Sequence, residues 1–111
     1  DAIYRVIFNL VDNAIKFTPE GGQINVRSTV IDGKINLSVR NTGCGISKDD
    51  AAHIFERFYK ADKSRGINKR GTGIGLFLVK NIIKEHGEDI ILTSKEGEFA
   101  KFTFTLPLYT D

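Results

Sequence analysis

Three short segments carry residues whose types and spacing could do chemistry: Asn9-Leu-Val-Asp-Asn13-Ala-Ile-Lys16, Asn41-Thr-Gly43-Cys-Gly45 and Gly71-Thr72-Gly73-Ile74-Gly75-Leu76. In the first, two amide oxygens one turn apart can hold a hard cation, and the lysine can meet phosphate charge. In the second, the glycine pair lets backbone lie flat against a planar base. The third opens an apolar helix, and a glycine run feeding a helix aims free backbone N–H groups outward with no Cβ to block a phosphate. Each alone is unspecific. Together, in this order, they supply what a bound nucleoside triphosphate needs.

At about 100° per residue, Asn9, Asn13 and Lys16 fall on one stripe beside the apolar face of a helix, where the core meets a cleft. A single helical asparagine usually bridges nearby backbone. Two at i and i+4, with a lysine and two glycine loops to follow, point instead to Mg²⁺ and phosphate. The run from Gly71 to Gly75 superficially fits a dinucleotide fingerprint, but no buried strand precedes it and its third glycine comes one residue early. What precedes it is basic: Arg57, Lys60, Lys63, Arg65, Lys69 and Arg70 are opposed only by Asp62. Beside a glycine run, that charge suits a polyphosphate.

The elements that must position these residues follow from periodicity. Ile3, Val6, Ile7, Leu10, Ala14 and Phe17 recur at helical spacing until Thr18-Pro19-Glu20-Gly21-Gly22 stops them. Ile24, Val26 and Val30, then Ile35, Leu37 and Val39, alternate about Asp32-Gly33, a hairpin signal. Ser47 is placed to N-cap a helix over about 48–59, with Asp49 and Asp50 in its first turn. Residues 60–72 lack periodicity and read as a mobile loop. A helix from Gly73 should end near His86-Gly87. Residues 90–93 and 102–106 read as a last strand pair, closed by Pro107. Strands arrive in adjacent pairs, which predicts an α+β, two-layer sandwich: a mostly antiparallel sheet with about three helices on one face.

Composition bounds the rest. The 111 residues suit one domain, and 41% hydrophobic with 27% charged content is ordinary for a globular chain. No apolar run approaches a membrane span, although an anchor elsewhere in a longer polypeptide stays open. One cysteine, Cys44, allows no internal disulfide and no thiolate cluster. A net charge of +2 is too small to argue for nucleic acid.

These segments resemble the boxes of sensor histidine kinases. Asn9 to Pro19 looks like the N box, Asn41 to Ile46 the first glycine box, Ile54-Phe55-Glu-Arg57-Phe58-Tyr59 the F box, and Gly71 to Leu76 the second glycine box. The resemblance runs nearly end to end and implies a catalytic and ATP-binding domain of Bergerat type, over residues 1–111, shared with gyrase-like ATPases and the large heat-shock chaperone. It implies ATP and Mg²⁺ as cofactors. Asn13, assisted by Asn9, would ligate the metal, while Lys16 and Lys60 would contact phosphate. Phe17 would flank the base, Asn41 would face the adenine amino group, and Gly43 and Gly45 would allow close approach. Gly71, Thr72, Gly73 and Gly75 would hinge the ATP lid and offer N–H groups to phosphate; residues 46–74 would include that lid, with Phe55 and Phe58 anchoring its base. Ile46, Tyr59 and Leu76 are carried to the nucleotide by the same boxes.

The implied partners are a dimerisation domain bearing the phosphoacceptor histidine, absent here, and a response regulator downstream. The parent would be a homodimeric bacterial sensor, its catalytic part cytoplasmic. Neither His53 nor His86 lies in a phosphoacceptor motif, so the chain alone should not phosphorylate itself. Three departures stand out. Asn41 replaces the usual aspartate, keeping an acceptor oxygen but losing its charge. Asn9 occupies the place of the glutamate base of gyrase-like hydrolases and cannot take a proton from water. Gly97-Glu98-Phe99 replaces a late Gly-x-Gly. A regulatory module that binds nucleotide without catalysis and a Bergerat-fold hydrolase are the other readings.

Overall fold

The computed structural model describes residues 2–56 and 75–107. Helix α1 spans Ala2–Phe17, strands β1 and β2 span Ile24–Ile31 and Lys34–Thr42, and a short helix α2 spans Lys48–Ala51. Helix α3 (Gly75–Glu85) and strands β3 (Ile90–Lys95) and β4 (Phe99–Pro107) complete the order. The four strands form one sheet, ordered β1-β2-β4-β3, with every neighbouring pair antiparallel.

Local chemistry explains the boundaries. Val6, Leu10 and Ala14, four apart, are the buried stripe of α1, and Lys16 in its last turn complements the helix dipole. Thr18 closes the helix by donating its hydroxyl to the Ala14 carbonyl at 2.5 Å, and Pro19 prevents continuation. Asp32 and Gly33 both have positive φ, as a two-residue primed turn requires. At the end of α3, Gly87 donates to the Lys84 carbonyl and Glu88 to the Ile83 carbonyl, the paired bonds of a Schellman stop.

The helices cover one face of the sheet. Val6 and Leu10 of α1 and Val79 and Ile83 of α3 meet Val39, Ile90, Phe102 and Phe104 of the strands in a single core. Burying each of these side chains fully contributes roughly 1.5–3 kcal/mol. Away from the 41–46 loop, Glu88 ties the hairpin to the last strand: Lys34 reaches it at 3.0 Å and the Thr105 hydroxyl donates to it at 2.7 Å. The Thr105 hydrogen bond, then Lys34, hold the Glu88 carboxyl below its ordinary range. Asp89 is held low chiefly by Lys80.

The α+β sandwich, the hairpin and the last strand pair match the sequence reading. One helix is shorter than expected. The helix predicted over 48–59 holds only to Ala51, after which His53 and Glu56 donate to carbonyls three residues back. Adjacent Ile54 and Phe55 both turn inward, Ile54 buried and Phe55 edge-on to Phe102 at 5.9 Å between ring centres. Tertiary packing tightens the chain there. The predicted loop over 60–72 lies outside the described residues, as do the first two residues of the helix expected from Gly73.

Candidate functional site

The site forms where α1 ends, where β2 runs into the 43–46 loop, and where the β3–β4 turn folds back. Asn41 is the last core-facing residue of β2 and, at 5% exposure, the buried polar residue among those described. Its Nδ2 donates to the Thr42 carbonyl at 3.3 Å, which leaves Oδ1 as the acceptor. Gly43 and Gly45 are there because nothing larger fits. A Cβ on Gly43 would lie 2.7 Å from the Phe17 carbonyl oxygen. One on Gly45 would overlap the Lys95 carbonyl, and its φ of +66° is left-handed.

The loop is bonded to the turn opposite. Gly43 N–H donates to the Glu98 carbonyl at 3.1 Å and Gly97 N–H to the Cys44 carbonyl at 2.6 Å. Ser94 acts as the pin: its hydroxyl accepts from the Ile46 N–H at 2.7 Å and donates to the Phe99 carbonyl at 2.9 Å. Ser47 caps α2 by accepting the Asp50 N–H.

These elements enclose a pocket of about 280 Å³ that brings Asn13 and Phe17 of α1 together with Asn41, Gly45 and Ile46. The remaining wall is Cys44, Ser47, Asp50, Ile54, Glu96, Gly97 and Ala100. Its charged members are two carboxylates, Asp50 and Glu96, with no cation from the described residues. Such a lining suits a neutral group and repels polyphosphate. A larger, more open groove of about 630 Å³ lies at Asn36, Glu88 and Thr105, away from every candidate residue. Its carboxylates are already engaged by Lys34, Lys80 and Thr105.

The other sequence candidates are distributed as follows. Asn9 sits against the start of α3, where a Cβ on Gly75 would come 3.3 Å from its Oδ1, and its Nδ2 donates to the Arg5 carbonyl at 2.9 Å. Lys16 is paired with Asp12 at 3.0 Å and remains accessible at the end of α1. Leu76 packs against the core. Tyr59, Lys60, Gly71, Thr72 and Gly73 lie outside the described residues, as does Phe58. Asn9 and Asn13 fit a magnesium ion that takes most of its ligands from phosphate and water, since such a site needs only one or two protein oxygens. Among the described residues no cluster of three or more His, Cys, Asp or Glu side chains exists to hold a metal by itself.

Sequence reasoning missed Ser94, Asp50, Ile54 and Glu96. Asp50 and Ile54 share a spacing of four and could have been read as one face entering the pocket. Ser94 and Glu96 carry no local signal, because only the fold brings the β3–β4 turn to the glycine loop. His86 caps α3 through the Ile82 carbonyl at 2.8 Å, and His53 pairs with Glu56 at 2.7 Å.

A helix-backed antiparallel sheet of this kind is the α/β sandwich of histidine kinase catalytic domains. The chain belongs to the histidine kinase-, DNA gyrase B- and HSP90-like ATPase family, whose model matches residues 1–110. It is 40% identical over 109 residues to the sensor histidine kinase WalK of Bacillus subtilis, covering 96% of this chain and 18% of that protein. It is likewise 40% identical to the sensor-like histidine kinase SenX3 of Mycolicibacterium smegmatis, covering 98% of this chain and 28% of that one. The chain thus spans less than a third of these relatives' length.

Among solved structures, the mycobacterial sensor histidine kinase MprB superposes with a TM-score of 0.84 at 29% identity, covering 96% of this chain and 72% of that one. Full-length ShkA in complex with AMPPNP gives 0.84 at 31% identity, covering 99% and 22%. The catalytic domain of the histidine kinase ThkA gives 0.79 at 34% identity, covering 96% and 66%. Among the described residues no helix is long and apolar enough to cross a membrane.

Proposed function

We propose that this chain is the catalytic domain of a two-component sensor, binding Mg²⁺-ATP and presenting its γ-phosphate to a histidine on a separate dimerisation domain. The observation that carries the reading is the pocket in which Asn13 and Phe17, Asn41, Gly45 and Ile46, and Gly97 and Ala100 converge from three distant segments. The base would enter between Phe17, Ile46 and Ile54, with the Asn41 Oδ1 accepting from the adenine amino group. Phosphates would then extend along the stripe of Asn13, Asn9 and Lys16. Magnesium there would neutralise phosphate charge, and the protein would contribute position and electrostatics, its usual share of phosphoryl transfer. That ShkA, which shares this fold, was solved in complex with AMPPNP supports nucleotide binding by likeness.

Asn9 argues against a hydrolase. Its amide is bonded to the Arg5 carbonyl, and an amide cannot accept a proton from water. The parent polypeptide would act as a homodimer with a response regulator downstream. The test is calorimetric titration with Mg²⁺-ATP, then labelled ATP with and without the parent's dimerisation domain. Tight binding, no label on this chain alone and acid-labile phosphate on the added domain are expected. Label on His53 or His86 would overturn the assignment.

A further inference from the structure

Cys44 is the chain's only cysteine, and the proposed function gives its thiol no task. It is half-buried in the wall of the pocket that Asn41 and Gly45 also line. The backbone on both sides of it is held. Gly43 N–H donates to the Glu98 carbonyl, the Cys44 carbonyl accepts from Gly97, and Ile46 N–H donates to Ser94. The residue therefore keeps its place in the wall unless those bonds break.

A second feature shows that the pocket is built for an occupant. Asn41 is 5% exposed and its Nδ2 is used by the Thr42 carbonyl, while its Oδ1 has no partner among the described residues. A spare acceptor at that depth calls for a donor brought by a ligand. At about 280 Å³ the pocket is just under the ~300 Å³ at which small-molecule sites begin, so it has room for one occupant. Anything attached to the Cys44 Sγ takes up space that a base needs.

The same wall selects the reagent. Asp50 and Glu96 are the charged groups of the lining. Two carboxylates at the mouth of a small pocket repel an anionic reagent and draw in a cationic one, which changes the rate of encounter.

We infer that Cys44 is a thiol–disulfide exchange site for low-molecular-weight disulfides of neutral or positive charge, and that its cap and the nucleotide exclude each other. The thiol releases its proton to water, and the thiolate attacks one sulfur of the disulfide. An Sγ–S bond forms, the reagent's S–S bond breaks, and the second half leaves as a thiolate that takes up a proton. Cys44 is thereby oxidised to a mixed disulfide while the departing half is reduced to a thiol, so a thiol reductant reverses the step. The mutual exclusion rests on the proposed nucleotide function; the exchange does not.

The experiment uses this chain, whose single cysteine makes the place of any cap unambiguous. Cystamine, a dication, and dithiodiglycolate, a dianion, are compared by intact mass. Their rate ratio should favour cystamine about tenfold more in the native chain than in urea, and less so with added salt. Mg²⁺-ATP should slow capping in proportion to its occupancy. The capped chain should bind ATP about tenfold more weakly or worse, as an overfilled pocket does, and dithiothreitol should restore it. Cys44→Ser should bind ATP equally before and after cystamine. A native chain that resists capping, a rate ratio equal to that in urea, or a capped chain of undiminished ATP affinity would each overturn the inference. Titration of the reduced chain tests the function separately: no ATP binding there would refute the proposed function, and the exclusion with it.

Discussion

Replacing Gly45 by alanine probes the contact on which the pocket depends. Gly45 has a φ of +66°, and an added Cβ would overlap the Lys95 carbonyl oxygen while lying 3.0 Å from the Phe99 carbonyl oxygen. Holding an L-residue in that left-handed region costs roughly 1–2 kcal/mol. The overlap is with backbone that cannot rotate away, because Gly97 and Glu98 of the same turn are hydrogen-bonded in place. Forcing it apart adds roughly 1–3 kcal/mol, as other overpacking does. Gly33→Ala supplies the control: its φ is +75°, but a Cβ there meets nothing within 4 Å. Urea unfolding should therefore show a loss of roughly 1–2 kcal/mol for Gly33→Ala and about 2–5 kcal/mol for Gly45→Ala. Calorimetry should show weakened nucleotide binding for Gly45→Ala alone, since Ile46 shifts with the loop. Equal stability losses in the two variants would refute the packing of the turn against the glycine loop, and with it the built pocket.

Asn13→Ala should abolish the Mg²⁺-dependent part of ATP binding and leave the unfolding midpoint within ~0.5 kcal/mol of the native chain, because the residue lines the cleft rather than the core; titrations with and without Mg²⁺ decide it. Asn41→Asp should tighten ATP several-fold, a gain on the order of 1 kcal/mol from a charge-assisted bond to the base. The same change removes the Nδ2 donor to the Thr42 carbonyl and buries a charge, so thermal stability should fall while affinity rises. Loss of both would show that Asn41 does not read the amino group. Glu88 has its carboxyl pKa lowered from an ordinary value of 4.5, so its contribution is present above that pH and disappears as pH falls through the lowered value. Glu88→Gln should accordingly flatten the acid limb of the stability profile below about pH 4.5 and leave nucleotide affinity at pH 7 unchanged, which paired denaturation and binding series would check.

What the sequence determined by itself was what short range determines. Helical and alternating periodicity placed α1, α3 and the strand pairs. Asp32-Gly33 and Gly87 marked turns whose backbone conformations few residues tolerate. The stripe of Asn9, Asn13 and Lys16 was legible because helix geometry fixes side-chain directions within a few residues. The end of α2 was not, because Phe55 answers to Phe102, nearly fifty residues away, and not to its neighbours. Nor was the pocket. Asn41 is buried beside a loop that the β3–β4 turn bonds to, and Ser94, which helps to join them, has a local context that predicts nothing. Similarly, alternation put Val26 and Val30 on one face, but only the packed structure revealed that both stay more than half exposed. Local propensity sets which way each side chain points. The long-range hydrogen bonds and core contacts that folding adds decide what it meets.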